Sequence, residues 1–289
     1  MKTELKADLM LLLVTFCWGA SYLMMDICME DLEVLNLNAF RFLVAFLIAG
    51  LFSAKKLAKV SKETLKYSLI ISLCQVLVYC GATYGVKYTS ISYAGFLIGL
   101  SSVMTPVLAI ILYRTLPEKK LVAAVILCVT GTAFLTLNGS SSGGMALGNI
   151  LCILTAFFYS IALIITERAV KKPNVDPYLL GITELAFVGI IMLALSAIFE
   201  HPHLPHSPRV LWAALFLAVL CTGLAFIVQN VAQQYTSASK VGLIFSLEPV
   251  FAGIVAYFAA GEILTGQAYF GAFLMILGIF VMEIDFRRK

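Results

Sequence analysis

At 289 residues the chain is 61% apolar and only 12% charged, with a net charge of +4 and a mean hydropathy of +0.98. Soluble domains are about half apolar and a quarter charged. A water-facing surface is therefore excluded, and with it a soluble enzyme or a nucleic-acid-binding domain; the partners to expect are the lipid bilayer and a small-molecule substrate.

Apolar runs of helical spanning length recur at 9–27, 36–54, 67–86, 92–113, 121–138, 147–166, 178–199, 211–231, 238–259 and 267–284. Each fits the roughly 17–25 residues that cross a hydrocarbon core as a helix. Short breakers separate them: Asn138-Gly139-Ser140, Lys172-Pro173, Pro202 to Pro208, and Gly261 to Gly266. The first run follows Lys2 and Lys6 but is longer than a signal core and has no small-x-small cleavage site, so it reads as a retained helix. The seven cysteines form no CxxC pair and read as small packing residues.

Orientation follows from lysine and arginine. With the N-terminus in the cytoplasm, 17 of the 20 basic residues fall inside, Lys87 and Arg209 fall outside, and Arg41 lies within a span. Both termini are expected to be cytoplasmic.

The chain repeats itself. Tyr88-Thr89-Ser90 with Ser92 and Gly95 recurs 147 positions later as Tyr235-Thr236-Ser237 with Ser239 and Gly242, and Gly131 recurs as Gly278. Pro106 answers Pro249 at an offset of 143, and Trp18-Gly19 aligns with Tyr159-Ser160. The expected architecture is an all-α integral membrane protein of ten transmembrane helices, built as two five-helix repeats over 1–140 and 141–289. An odd number of spans per copy inverts the second copy. Inverted repeats are the usual plan of secondary transporters, with the substrate near the midplane.

Trp18-Gly19-Ala20-Ser21, Arg41-Phe42, Tyr235-Thr236-Ser237-Ala238, Leu247-Glu248-Pro249-Val250, Gly261-Glu262 and Gly271 with Gly278 resemble the EamA-type branch of the drug/metabolite transporter superfamily. The resemblance implies a ten-helix fold with a central cavity lined by both halves. It also implies movement of amino acids, nucleotide-related metabolites or drug-like compounds, commonly outward, across the plasma membrane. Ser101-Ser102 and Pro106 stand in the first copy where the second has its Glu-Pro pair.

Charges deep in lipid are functional candidates by default. Glu248 reads either as a cavity or proton-coupling acid or as a structural carboxyl beside Pro249. Arg41 reads as a snorkelling or a coupling charge, and Glu184 as a structural or a coupling one. Pro106 and Pro249 remove helical N–H groups and are expected to kink their helices, freeing the carbonyls of Ser102 and Phe245. Gln75, Tyr79 and Thr83 share one helical face; Thr222, Phe226 and Asn230 form the matching face, with Gln229 beside it. With Trp18 and Tyr159 these faces are expected to line a partly aromatic, hydrogen-bonding pocket. The alternative is dry interhelical hydrogen bonding. Gly95-x-x-x-Gly99 and Gly242-x-x-x-Ser246 read as packing between the copies or as a dimer seam, so monomer and homodimer both stay open.

Gly139 to Gly143 fits GxSxG but lacks the strand-to-helix turn and histidine partner of a hydrolase. His201, His203 and His206 cluster among prolines in one loop and read as loop residues more than as a metal site. No P-loop, HExxH or dinucleotide fingerprint occurs, so neither a cofactor nor a catalytic site is expected. The reading is a secondary transporter, more exporter than importer, possible proton coupling included; a channel or an intramembrane enzyme is the rival.

Overall fold

A computed structural model of the chain describes residues 2–88, 97–114, 118–136, 146–260 and 265–283. The described residues contain helices and no strand: α1 (Lys2–Met29), α2 (Val34–Leu57), α3 (Lys62–Tyr88), α4 (Ser101–Tyr113), α5 (Lys119–Thr136), α6 (Ala146–Val170), α7 (Pro177–Phe199), α8 (Pro208–Ala232), α9 (Ala238–Phe245), α10 (Glu248–Ala260) and α11 (Gly266–Glu283). Seven spans are long and apolar enough to cross a bilayer: α1, α2, α3, α6, α7, α8, and the α9–α10 stretch Ala238–Val255. Leu97–Tyr113 and Gly266–Met282 are shorter apolar helices. The sequence marks Thr89, Ser90, Ser92 and Gly95, the 138–144 loop and Gly261-Glu262 lie outside the described residues.

Local chemistry sets the helix starts. Asp176 accepts the backbone N–H groups of Tyr178 and Leu179, with Pro177 at the first helical position, where its missing N–H is no loss. Ser207 and Ser237 cap α8 and α9 in the same way, through Val210 and Lys240. At the start of α2 the caps come from another helix: the Glu200 carboxylate, just past α7, accepts the N–H of Leu35 at 3.0 Å and of Asn36 at 2.8 Å. A carboxylate there also faces the positive end of the helix dipole.

The molecule wears its apolar side chains outward, with Phe52 85% and Phe258 81% exposed, as a lipid-facing surface should be. Its interior holds buried Ser, Thr, Asn and Gln side chains, which act between helices where water cannot.

Two antiparallel pairs frame the interior. In α2 and α7, Leu35 meets Glu200, Leu43 packs on Gly189, and Ser53 bonds Tyr178 at 2.7 Å. In α5 and α11, Gly131 packs on Gly271 and Met275 while Gly278 packs on Cys128 and Ala124. A Cβ at Gly131 would stand 2.6 Å from the Gly271 carbonyl oxygen, and one at Gly278 2.9 Å from that of Ala124, so both helices need glycine for this approach. Gly242 likewise rests on Thr105 of α4, which makes the small-residue stripe of α9 an internal contact.

Two expectations change. The span expected at 238–259 is broken by a turn at Ser246 and Leu247, so Glu248 opens a new helix. Pro249 therefore sits in a first turn, where proline is favoured, rather than kinking a continuous helix. Pro106 does lie inside its helix. The second change concerns α8, whose middle, Leu217–Leu224, is wound as a π-helix. Such insertions collect at functional sites because they shift the register of the carbonyls.

Candidate functional site

The π stretch of α8 is the centre of the site. The Cys221 carbonyl accepts the Trp18 indole N–H at 2.9 Å and an Arg41 Nη2 N–H at 3.4 Å. The Thr222 hydroxyl accepts the Arg41 Nε N–H at 2.6 Å. Arg41 is only 2% exposed, and its guanidinium lies 5.5 Å from the centre of the Tyr79 ring. The snorkelling expected of Arg41 is thus replaced by an inward position, because the rewound stretch of α8 offers it two acceptors. No carboxylate forms an ion pair with Arg41 among the described residues.

Aromatic rings surround this cation. Tyr79 meets Phe42 at 5.0 Å and Phe226 at 6.3 Å between centroids, and Trp18 meets Phe245 at 4.8 Å and Tyr159 at 6.3 Å. The two polar faces read from the sequence therefore meet through α2, with Phe42 and Arg41 wedged between Tyr79 and α8. Glu248, at the start of α10, acts electrostatically on the hydroxyls of both Tyr79 and Tyr159, and Arg41 acts on that of Tyr79. Arg41, Tyr79, Tyr159 and Glu248 thus belong to one neighbourhood. The Tyr159 hydroxyl and Gln229 Oε1 are buried without a hydrogen-bond partner; Gln75 is buried at 3% exposure, and Thr83 turns back to the Tyr79 carbonyl.

Glu184 and Asn230 form a separate cluster. Asn230 lies eight residues beyond Thr222 on α8, roughly 12 Å at helical rise. Its Nδ2 donates to Glu184 Oε2 at 3.2 Å and to the Phe226 carbonyl at 2.9 Å.

Sequence reasoning missed a third cluster. Lys240, counted only among the basic residues of the inside face, bonds Asp8 at 2.9 Å and Glu4 at 3.2 Å, while the Glu167 carboxylate caps α9 through the Ala238 N–H at 2.8 Å. This joins α1, α6 and α9 at the end of the bundle that also carries Lys55, Lys56 and Lys172, here called the basic end. No local signal could have found it, since Asp8 and Lys240 are 232 residues apart.

At the opposite end, His203 and His206 stack at 4.6 Å, and Asp31 bonds the His206 ring at 2.8 Å. Asp31, His203 and His206 present ligand atoms within 4.8 Å of one another, a set that could hold a divalent metal; His201 is not part of it. The acid of this set is Asp31, distant in the chain, and not the neighbouring Glu200. The His206 backbone N–H, and then its ring, hold the Asp31 carboxyl below its ordinary range.

Comparison with known proteins places this geometry. The sequence model of the EamA-like transporter family matches twice, over residues 5–137 and 146–284. An uncharacterized transporter of Archaeoglobus fulgidus is 29% identical, over 97% of this chain and 87% of its own length. The uncharacterized transporter YoaV of Bacillus subtilis is 27% identical over 98% of this chain and 99% of its own. A "Probable amino-acid metabolite efflux pump" of Salmonella typhimurium is 22% identical, over 98% and 96%. A solved crystal structure shares the fold with a TM-score of 0.79 at 15% identity, covering 96% of each chain.

Proposed function

Because this chain belongs to the EamA-like transporter family and is a multi-pass membrane protein, we propose that it is a secondary carrier that exports small carboxylate-bearing metabolites, amino acids among them. The observation that carries this reading is Arg41. A guanidinium buried at 2% exposure, held by two neutral acceptors and beside the Phe42 and Tyr79 rings, forms no ion pair with a carboxylate among the described residues. Burying a charge is costly unless it is paired, and a substrate carboxylate would complete it with a bidentate pair. Glu248, acting on the same tyrosine hydroxyls, stands where it could take an ammonium group. Together they suit a zwitterion, and the efflux-pump relative supports that substrate class.

Alternating access fits the same geometry. The α2/α7 and α5/α11 pairs are antiparallel, and each joins repeat counterparts: Cys128 and Gly131 of α5 correspond, 147 residues on, to Met275 and Gly278 of α11, the residues they touch. Two copies in opposite orientation produce such reciprocal contacts. They support ten spans in two inverted halves, with the basic end and both termini in the cytoplasm, as the lysine and arginine bias requires. The ion pairs of Lys240 then close the cytoplasmic side in this conformation.

The test is counterflow in proteoliposomes. Labelled amino acid should exchange against unlabelled amino acid with saturation, and the decarboxylated amine should not compete. Arg41→Gln should abolish the exchange while leaving insertion and monodispersity intact. Equal transport of acid and amine by the Arg41→Gln protein would refute the assignment.

A further inference from the structure

The acid of the second cluster has an unusual set of contacts. Glu184 is 1% exposed, its Oε2 accepts one hydrogen bond from the neutral Asn230 amide, and its Oε1 has no partner. Asn230 Oδ1 is also buried without a partner. The two N–H groups of Asn230 are used, one on Glu184 Oε2 and the other on the Phe226 carbonyl. A carboxylate in this setting would leave two buried acceptors facing no donor, beside an uncompensated charge. One proton on Oε1 removes all three faults. The resulting hydroxyl can donate to Asn230 Oδ1 while Asn230 Nδ2 donates to Oε2, the reciprocal pairing of a carboxylic acid with an amide.

Among the ionisable groups on the helices packed against α7, Arg41 of α2 is the membrane-embedded charge, and it is engaged by Thr222 and Cys221. From within α3 come Tyr67, Cys74, Tyr79, Cys80 and Tyr84, and the last turns of α8 carry none. No cation pairs with Glu184 among the described residues. On the basic-end side of the pair the interior stays polar. Gln233 Oε1 and Thr236 Oγ1, three and six residues beyond Asn230, are buried without partners, and Lys240, four residues further on, bonds Asp8 and Glu4.

We propose that Glu184 is the proton-binding site of the carrier, neutral in the substrate-free conformation with the basic end closed and deprotonated when that end opens. Opening the Lys240 contacts lets water reach Thr236, Gln233 and then Glu184, and the proton leaves Oε1 for that water. The carboxylate so formed is hydrated until bound substrate lets the end close, and it regains a proton from the opposite side once that side has opened and the substrate has left. With the basic end cytoplasmic, one proton then enters as one substrate leaves. This rests on the carrier reading above and moves the coupling role from Glu248, which shares the substrate neighbourhood, to Glu184.

The test is an infrared difference spectrum of the purified protein at neutral pH, which needs no substrate. Wild type should show the C=O band of a protonated carboxylic acid in dry surroundings. Glu184→Gln, which keeps an amide-compatible shape, should lack the band, and Glu248→Gln should keep it. In proteoliposomes Glu184→Gln should retain counterflow and lose accumulation driven by a pH gradient. A band that persists in Glu184→Gln, accumulation that persists with it, or a requirement for sodium in place of protons would each overturn the proposal. Should Glu184→Gln not insert, Asn230→Ala must shift the band, and an unshifted band is equally fatal. If no substrate moves even with wild type, the carrier reading fails while the band still decides the protonation of Glu184.

Discussion

Replacing Lys240 with methionine should open the basic end. The side chains of Lys240 and Asp8 are each 7% exposed and meet at 2.9 Å, so they form a buried pair; Glu4, 52% exposed, adds little through a screened surface contact. Removing one partner of a buried pair costs about 3–5 kcal/mol, because the other charge is left in a low-dielectric place. That penalty falls on the closed conformation, in which α1 and α9 bring the two together. Once the end is open, Asp8 is hydrated and the penalty disappears. The closed-to-open ratio should therefore fall by roughly two to four orders of magnitude at about 1.4 kcal/mol per tenfold. Thr236, four residues before Lys240 and buried at 7% exposure, is the position chosen to report the change. In a cysteine-free background carrying Thr236→Cys, Lys240→Met should greatly accelerate maleimide labelling from the basic-end side. Adding Asp8→Asn should reverse much of the effect, since no charge is then stranded. A labelling rate indistinguishable from that of the parent would show that the ion pair does not hold this end closed.

Gly131→Ala should lower the melting temperature, since its Cβ would stand 2.6 Å from the Gly271 carbonyl and overpacking of this kind costs about 1–3 kcal/mol. Asp31 carries a pH prediction: its carboxyl is held low by His206 in the folded chain, so its stabilisation is present above the ordinary carboxylate range and is lost as pH falls through the lowered value. Below about pH 4 the wild type should lose thermal stability more steeply than Asp31→Asn, measured in a pH series of melts. Cysteines at Ser141 and Lys59 should differ in labelling by an impermeant maleimide on intact cells, with position 141 labelled and position 59 protected.

The helices were legible because a chain so poor in charge has nowhere but lipid to put its side chains, and breakers such as Lys172-Pro173 and Pro202 to Pro208 mark where the chain turns. The placement of Arg41 inside an apolar span was legible too. Its direction was not, because that depends on the π winding of Leu217–Leu224, and no residue in Leu-Ala-Val-Leu-Cys-Thr-Gly-Leu announces it. Glu248 looked like a mid-span acid because Pro249 reads equally as a kink and as a helix start; the turn at Ser246 decides for the start. Glu184 and Asn230 were both candidates, but their pairing joins residues 46 positions apart across two helices. Lys240 was hidden by the same cause on a larger scale: charge counting gives only its side of the membrane until α1 is folded against it.

Arg41 and Glu184 also share a place in the architecture. Each lies seven residues in from the start of its helix, α2 or α7, and each takes its main partner from α8, Thr222 or Asn230. Matching positions in the two stretches that the family model covers thus carry a cation that never deprotonates and an acid that can. If Arg41 is the fixed anion receptor, its aim must be set by Thr222, whose hydroxyl accepts from Nε at 2.6 Å. Thr222→Val keeps the shape and deletes that acceptor, and a hydrogen bond to a charged group contributes about 1.5–3 kcal/mol. The freed guanidinium should swing on its remaining bond to the Cys221 carbonyl. Exchange should then show a raised KM for amino acids, with the maximal rate less affected, and the melting temperature should drop. Thr222→Ser restores the hydroxyl and should restore both. A valine variant with unchanged KM would show that Arg41 serves the packing of α8 and not the substrate, and the carboxylate site would have to be sought elsewhere.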